Sequence, residues 1–95
     1  LMRKDGIVAV GNDLMIVIDD DRDINVYNIK PRYAIVCRGF NGNIIDVYNT
    51  LKPDTIILSR DIHKKRMARY IDSCEIHNIP FLSLREKGFH KIVIN

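Results

Sequence analysis

The sequence predicts a small α/β domain: a mixed, mostly parallel sheet with crossover helices. Two segments, Tyr33–Cys37 and Thr55–Ser59, are apolar throughout, which is typical of central strands covered on both faces. A helical pattern separates them, and a strand–helix–strand unit places its two strands parallel in one sheet. With 95 residues, 46% of them hydrophobic, the chain closes one core. The predicted order is βββαβαββ in a single domain.

The first third of the chain predicts a hairpin followed by an acidic segment. Ile7–Val10 and Leu14–Ile18 are β-branched apolar runs joined by Gly11-Asn12-Asp13, a turn that suits a tight hairpin. Asp19–Asp23 carries four acids in five residues, which indicates a solvated loop or a cation site, and we favour the loop. A further short strand is expected around residues 25–27.

Two amphipathic helices are expected after the first central strand. The first has apolar residues at helical spacing from Ile44 to Leu51, with Asn43 or Asn41 as N-cap and Lys52-Pro53 at its end. The second runs from about His63 to His77. One face of it carries an apolar stripe with a terminal amide: Met67, Tyr70, Ile71, Cys74 and Asn78.

The start and end of the second helix are predicted from neighbouring polar residues. Ser59 or Asp61 is the expected N-cap, with His63 in the first turn, and residues 78–80 (Asn-Ile-Pro) close the helix. Phe81–Leu84 is then a strand, residues 86–88 make a turn, and Phe89–Ile94 alternates as a final strand. The helix is therefore expected to lie on one face of the sheet.

Composition limits the function classes. The net charge of +3 and the isoelectric point near 9.0 permit contact with nucleic acid or an anionic membrane. Cys37 and Cys74 form no CxxC pair, and buried free thiols are favoured over a disulfide. No apolar run approaches the roughly 18 residues of a membrane span, so the chain reads as soluble. Because it does not begin with Met, we expect it to be part of a longer protein.

One short motif suggests metal chemistry. Asp61-Ile62-His63 follows a strand and resembles the first motif of calcineurin-like metallophosphoesterases. Those enzymes need further Asp, Asn and His ligands to hold two metals, and no Gly-Asp, Gly-Asn-His or Gly-His-x-His follows in this sequence. A helix start is therefore favoured over a metal site.

A basic cluster offers a second candidate site. Residues 60–69 hold five cations and a single acid, Asp61, and the cations are Arg60, Lys64, Lys65, Arg66 and Arg69. The apolar face of the helix is already filled, so most of this charge lies in solvent. It could make about three or four phosphate contacts to single-stranded DNA. A purely solvated helix face is the alternative, and it is slightly favoured.

The order of motifs resembles the C-terminal half of the metallo-β-lactamase-like domain of ComEC, the competence channel protein that carries single-stranded DNA into bacteria. In that family a strand ending in Gly-Asp precedes a strand leading to His-His-Gly-Ser, a helix, Lys-Pro and a strand ending in Ser. Here Leu14–Asp20, Tyr33–Cys37 and Leu51–Ser59 match these in order. The family pattern closes with a helix, a segment with a Gly-Ile or Gly-Val step and a final strand after a Gly, and residues 78–80 and 86–89 match these closing segments. Ile57–Asp61, together with Lys64–Arg66 and Ile71–Cys74, further resembles ComEC-type proteins of Bacteroides-like bacteria, whose terminal domain is degenerate.

The departures from that pattern imply lost hydrolysis. Arg38-Gly39 stands at the paired-histidine position, and the half carrying His-x-His-x-Asp-His is absent. Asp19 or Asp20 supplies one carboxylate, whereas a catalytic zinc takes three protein ligands. The resemblance thus implies a non-catalytic accessory domain without metal or cofactor, attached to a bacterial inner membrane channel. Its partners would be single-stranded DNA or other parts of that channel. The alternative is a metal-dependent phosphoesterase or nuclease using Asp61 and His63.

Overall fold

The structure is a computed structural model that describes residues 2–4, 6–21, 24 and 29–84, with the backbone alone for residues 2–4 and 10. Within these residues six strands form one sheet, ordered as in the chain, and two helices follow the fourth and fifth strands. The elements are β1 (Met2–Lys4), β2 (Ile7–Val10), β3 (Asp13–Ile18), β4 (Tyr33–Val36), α1 (Ile44–Leu51), β5 (Thr55–Leu58), α2 (Lys64–Ile76) and β6 (Phe81–Ser83). The α/β fold class is confirmed.

The sheet is mixed because its first three strands are antiparallel and its last four are parallel. β1 pairs with β2 and β2 with β3 in antiparallel register, while β3–β4, β4–β5 and β5–β6 are parallel. The β2–β3 turn has Gly11 at φ +61°, as a type II′ hairpin requires at its first central residue. β1 was not predicted from the sequence, because Arg3-Lys4 breaks its apolar pattern. The described order is thus ββββαβαβ.

The two apolar strands lie where the sequence predicted them. β4 and β5 are parallel neighbours, with Tyr33 opposite Thr55 and Val36 opposite Leu58, and β3 and β6 flank them. On the helix side of β4, Ala34 and Val36 are fully buried. Ile35, on the other side, is half-buried, so the second face of β4 is less completely covered than the helix face.

The first helix begins and ends as predicted. Asn43 Oδ1 accepts a 2.8 Å hydrogen bond from the Ile45 amide, which satisfies one of the free N–H groups of the first turn. Lys52 adopts the left-handed region at φ 50°, and its N–H donates to Tyr48 O. The left-handed residue followed by Pro53 stops the helix.

The second helix has a different N-cap from the predicted one. His63 itself caps α2, since its Nδ1 accepts a 3.2 Å bond from the Lys65 amide. Ser59 and Asp61 do not cap, and the Asp61 carboxylate instead accepts from the Arg38 amide, 23 residues earlier in the chain.

The end of α2 is a Schellman motif. The Asn78 amide donates to Glu75 O and the Ile79 amide to Cys74 O, with Asn78 left-handed at φ 55°. The predicted closure of the helix at residues 78–80 is confirmed.

Both helices pack on the same face of the sheet. Alternate residues of the central strands, such as Ile16, Val36 and Leu58, form one buried cluster with residues of both helices. The helix residues in this cluster are Ile44, Val47, Leu51, Met67, Tyr70 and Cys74. Burying this face provides the main favourable free energy of folding. Cys37 and Cys74 are free thiols, as predicted, but only Cys74 is buried and Cys37 is half-buried. The strands predicted at residues 25–27 and 89–94, and the turn at 86–88, lie outside the described residues.

Candidate nucleic-acid interface

After β4 the chain makes a tight turn, and two carboxylates accept hydrogen bonds from the backbone N–H groups of this turn. We call Arg38–Gly42 the strand-end turn. The amide of Gly39 donates to Asp19 Oδ1 and the amide of Arg38 to Asp61 Oδ1, each at 3.2 Å. A Cβ on residue 39 would collide with the main-chain carbonyl oxygen of Asp19, so only glycine fits there. Carboxylates at the carboxyl ends of β3 and β5 are therefore engaged in holding the turn.

Asp21 holds the far side of the strand-end turn. Its Oδ1 accepts from the Asn41 amide at 2.7 Å, and its Oδ2 accepts from Asn41 Nδ2 at 3.2 Å. The backbone hydrogen bond, followed by the side-chain one, lowers the pKa of Asp21 below its usual value because both favour the ionised carboxylate. The acidic segment was expected to be simply solvated. Asp19 and Asp21 are exposed, but their carboxylates accept backbone N–H groups of the turn.

Side chains of helix α2 donate hydrogen bonds to the carbonyl groups of the same turn. Arg66 Nη1 donates to the carbonyl oxygens of Arg38 and Phe40, both at 3.0 Å. The Tyr70 hydroxyl donates to Gly42 O at 3.0 Å, and burial raises the pKa of this phenol. Arg66 was placed among the DNA-contacting cations by sequence, and the structure gives its guanidinium these carbonyl partners instead of leaving it fully in solvent. That it contacts DNA stays a prediction.

The two residues of the predicted metal motif each make a backbone contact. Asp61 accepts from Arg38, and His63 accepts through Nδ1, which places the proton of the neutral ring on Nε2. Among the residues that the structure describes, no three His, Cys, Asp or Glu side chains come together in a way that could hold a metal ion. His63 thus shapes the start of α2, and Asp61 shapes the strand-end turn.

Four of the five predicted cations face solvent. The exposed group consists of Arg60, Lys64, Lys65 and Arg69. Over the described part of the chain, none of these four side chains has a hydrogen-bond or ion-pair partner, unlike Lys30 and Arg32, which pair with Asp54 and Asp13. We call these four residues the basic face. Their charge is available to an anionic partner.

A cavity of about 350 Å³ adjoins the basic face. It is lined by residues 41–43 of the strand-end turn and the start of α1, and by Arg69, Tyr70 and Ser73 of α2. The candidate metal residues Asp61 and His63 do not line this polar opening.

The family of the chain follows from its match to a known domain. The family model described as the ComEC C-terminal domain matches residues 3–94, which is all of the chain except three terminal residues. The chain belongs to this family. The resemblance predicted from the strand order is thereby confirmed for ComEC, a membrane protein of competence DNA uptake. No curated protein and no solved structure matched the chain. In the described portion of this ComEC C-terminal domain, neither helix is long and apolar enough to cross a membrane.

Sequence reasoning missed the contacts that hold the strand-end turn in this ComEC domain. Arg66 and Tyr70 lie one helical turn apart, which places both on the same side of α2, but their carbonyl partners lie 26 to 28 residues earlier. The spacing within α2 indicates that the two side chains lie on the same side of the helix. It does not indicate which loop they contact.

Proposed function

We propose that this domain is a non-catalytic accessory module of a membrane-bound competence DNA-uptake protein, and that its basic face contacts single-stranded DNA. The observation that carries the proposal is that Arg60, Lys64, Lys65 and Arg69 are exposed and unpaired within the described residues. Unpaired, exposed cations on and just before α2 attract phosphates, and counterion release supplies most of the affinity in such contacts. Membership of the ComEC family supports DNA as the polyanion.

The engagement of the candidate catalytic residues supports a non-catalytic role. Asp19, Asp61 and His63 each accept a backbone N–H, so a metal would have to compete with bonds that shape the turn and the helix start. Arg38-Gly39 offers a guanidinium and a bare backbone where the family pattern has histidines. This combination favours a binding module over a phosphoesterase.

The direct test is a fluorescence titration of an oligonucleotide with wild type and with charge-reversed variants. Lys64→Glu with Lys65→Glu changes the net charge by four units at the start of α2. Lys30→Glu with Lys52→Glu makes the same change at the opposite end of the strands, where both lysines are exposed. We expect the first pair to abolish binding and the second to weaken it only slightly, because charges beyond about 10 Å are screened.

Salt dependence gives a second measure of the contact. Four cations imply a loss of roughly 50-fold in affinity between about 50 and 200 mM salt, and three imply roughly 20-fold. Absence of binding at low salt, or equal binding by both double variants, would show that the basic face is only a solvated helix surface. Stoichiometric zinc or manganese after purification, together with nuclease activity abolished by His63→Ala, would favour the alternative, a metal-dependent phosphoesterase.

A further inference from the structure

The cavity beside the basic face presents polar groups that the fold itself does not use. One lining group, the Tyr70 hydroxyl, already has a hydrogen-bond partner, since it donates to Gly42 O. The Asn43 side-chain oxygen accepts from Ile45, which leaves the Asn43 amide nitrogen available as a donor. The Arg69 guanidinium and the Ser73 hydroxyl have no hydrogen-bond partner among the described residues. Three separate donors therefore line one opening.

The chemistry of this lining suits an anion with several oxygen acceptors. Arg69 is the one ionised side chain among the lining residues, and a guanidinium matches the geometry of phosphate oxygens. Ser73 and Asn43 add neutral donors of the kind that position phosphates. Small-molecule sites of this size are usually enclosed and mostly apolar, whereas this cavity is polar and open to solvent. A segment of a longer polyanion fits it better than an enclosed small molecule.

The cavity continues the line of the basic face. Lys65 and Arg69 are four residues apart on α2, which corresponds to about 6 Å along the helix axis. Successive phosphates of a stacked strand advance by about 3.4 Å, so two nucleotide steps cover that rise. A strand whose phosphates meet Lys64 and Lys65 therefore reaches the cavity mouth within about two nucleotides.

We infer that the cavity seats one backbone phosphate of the bound strand, with Arg69 supplying the charge and Ser73 and Asn43 the neutral hydrogen bonds. The inference rests on the proposed function and adds to it the route of the bound DNA. The DNA strand runs along α2 from its start to its middle. The strand-end turn forms one wall of the cavity, which we call the phosphate seat.

Matched pairs of variants test the seat apart from the charge. Arg69→Gln and Lys64→Gln each remove one exposed cation, but only Arg69 lines the cavity. Loss of a phosphate held by several hydrogen bonds should cost about tenfold in affinity, against about threefold for a single exposed contact.

Ser73→Asp and Asn49→Asp each add one carboxylate, but Asn49 is exposed on α1 outside the cavity. We expect the first to lose about tenfold or more and the second about twofold.

A second measurement does not depend on the variants folding. Adding a thymidine tetranucleotide should shift the NMR signals of the backbone amides of residues 41–43 and Ser73, and leave those of Lys30 and Asp54 in place. If circular dichroism shows that Ser73→Asp is unfolded, the affinity of Arg69→Gln and these NMR shifts decide whether the cavity binds a phosphate.

The outcomes separate the two proposals. If wild type binds no oligonucleotide, the proposed function and the phosphate seat both fail. If wild type binds, but each variant loses no more than its matched partner and the cavity amides do not shift, the basic face stands and the phosphate seat is overturned.

Discussion

Replacing Tyr70 by phenylalanine tests whether α2 holds the strand-end turn. The Tyr70 residue is 6% exposed, and its hydroxyl donates to Gly42 O at 3.0 Å and lies 3.5 Å from Phe40 O. Phenylalanine keeps the buried ring and removes only this donor. Gly42 is exposed, so water can reach its carbonyl oxygen and offset part of the loss. We therefore expect the free energy of unfolding to fall by about 1 kcal/mol, the usual net value of one hydrogen bond.

Thermal unfolding followed by circular dichroism measures this change. For a domain of this length, 1 kcal/mol corresponds to a fall in Tm of about 4–8 °C. Tyr48→Phe is the matched control, because Tyr48 is half-buried on α1 and its hydroxyl has no partner among the described residues. Equal Tm values for wild type and Tyr70→Phe, or an equal fall in Tyr48→Phe, would refute the role assigned to the Tyr70 hydroxyl.

Three further predictions concern single sites. Gly39→Ala should destabilise the domain by about 1–3 kcal/mol in urea unfolding, because the added methyl collides with the Asp19 carbonyl; an unchanged midpoint would contradict the turn geometry. Asp21 has a pKa below its unfolded value of 3.8, so its stabilising effect is present above that pH and lost as pH falls through the folded pKa. Asp21→Asn should therefore be less stable than wild type at pH 7 and equal to it in strong acid, and a constant difference would argue against the bond to Asn41. Burial raises the pKa of Cys74 to about 11, so iodoacetamide at about pH 8 should modify it slowly in the folded protein and rapidly in urea; fast reaction of the folded protein would show that the thiol is accessible.

The strands and helix ends were predictable because their signals are local. The apolar runs placed β4 and β5 within one residue of their bounds and in the right pairing. The cap of α1 was narrowed to Asn43 or Asn41, because an amide oxygen just before a helix can accept one of its free N–H groups, and Asn43 is the one that does. β1 was missed, since its three residues have too little apolar pattern to distinguish a strand from a loop.

The site was less predictable because its contacts join distant segments. The sequence identified the exposed cations from their density around α2. It did not show that Arg66 turns inward, since that depends on carbonyl groups of the strand-end turn 26 to 28 residues away. Nor did it show that His63 is the N-cap of α2, or that Asp61 accepts from the Arg38 amide instead of from the helix, because the turn that Asp61 contacts is positioned by the sheet.

The strand order has a consequence for how the domain forms. Every described strand pairs with the strand next to it in the chain, and paired residues in the parallel part are separated by 18 residues between β3 and β4 and by 25 between β5 and β6. Pairing each strand with its chain neighbour keeps the entropy cost of loop closure lower than pairing strands from distant parts of the chain. During synthesis, each new strand meets a sheet edge that has already emerged from the ribosome. The domain is therefore expected to assemble progressively from β1 towards β6 as the chain grows.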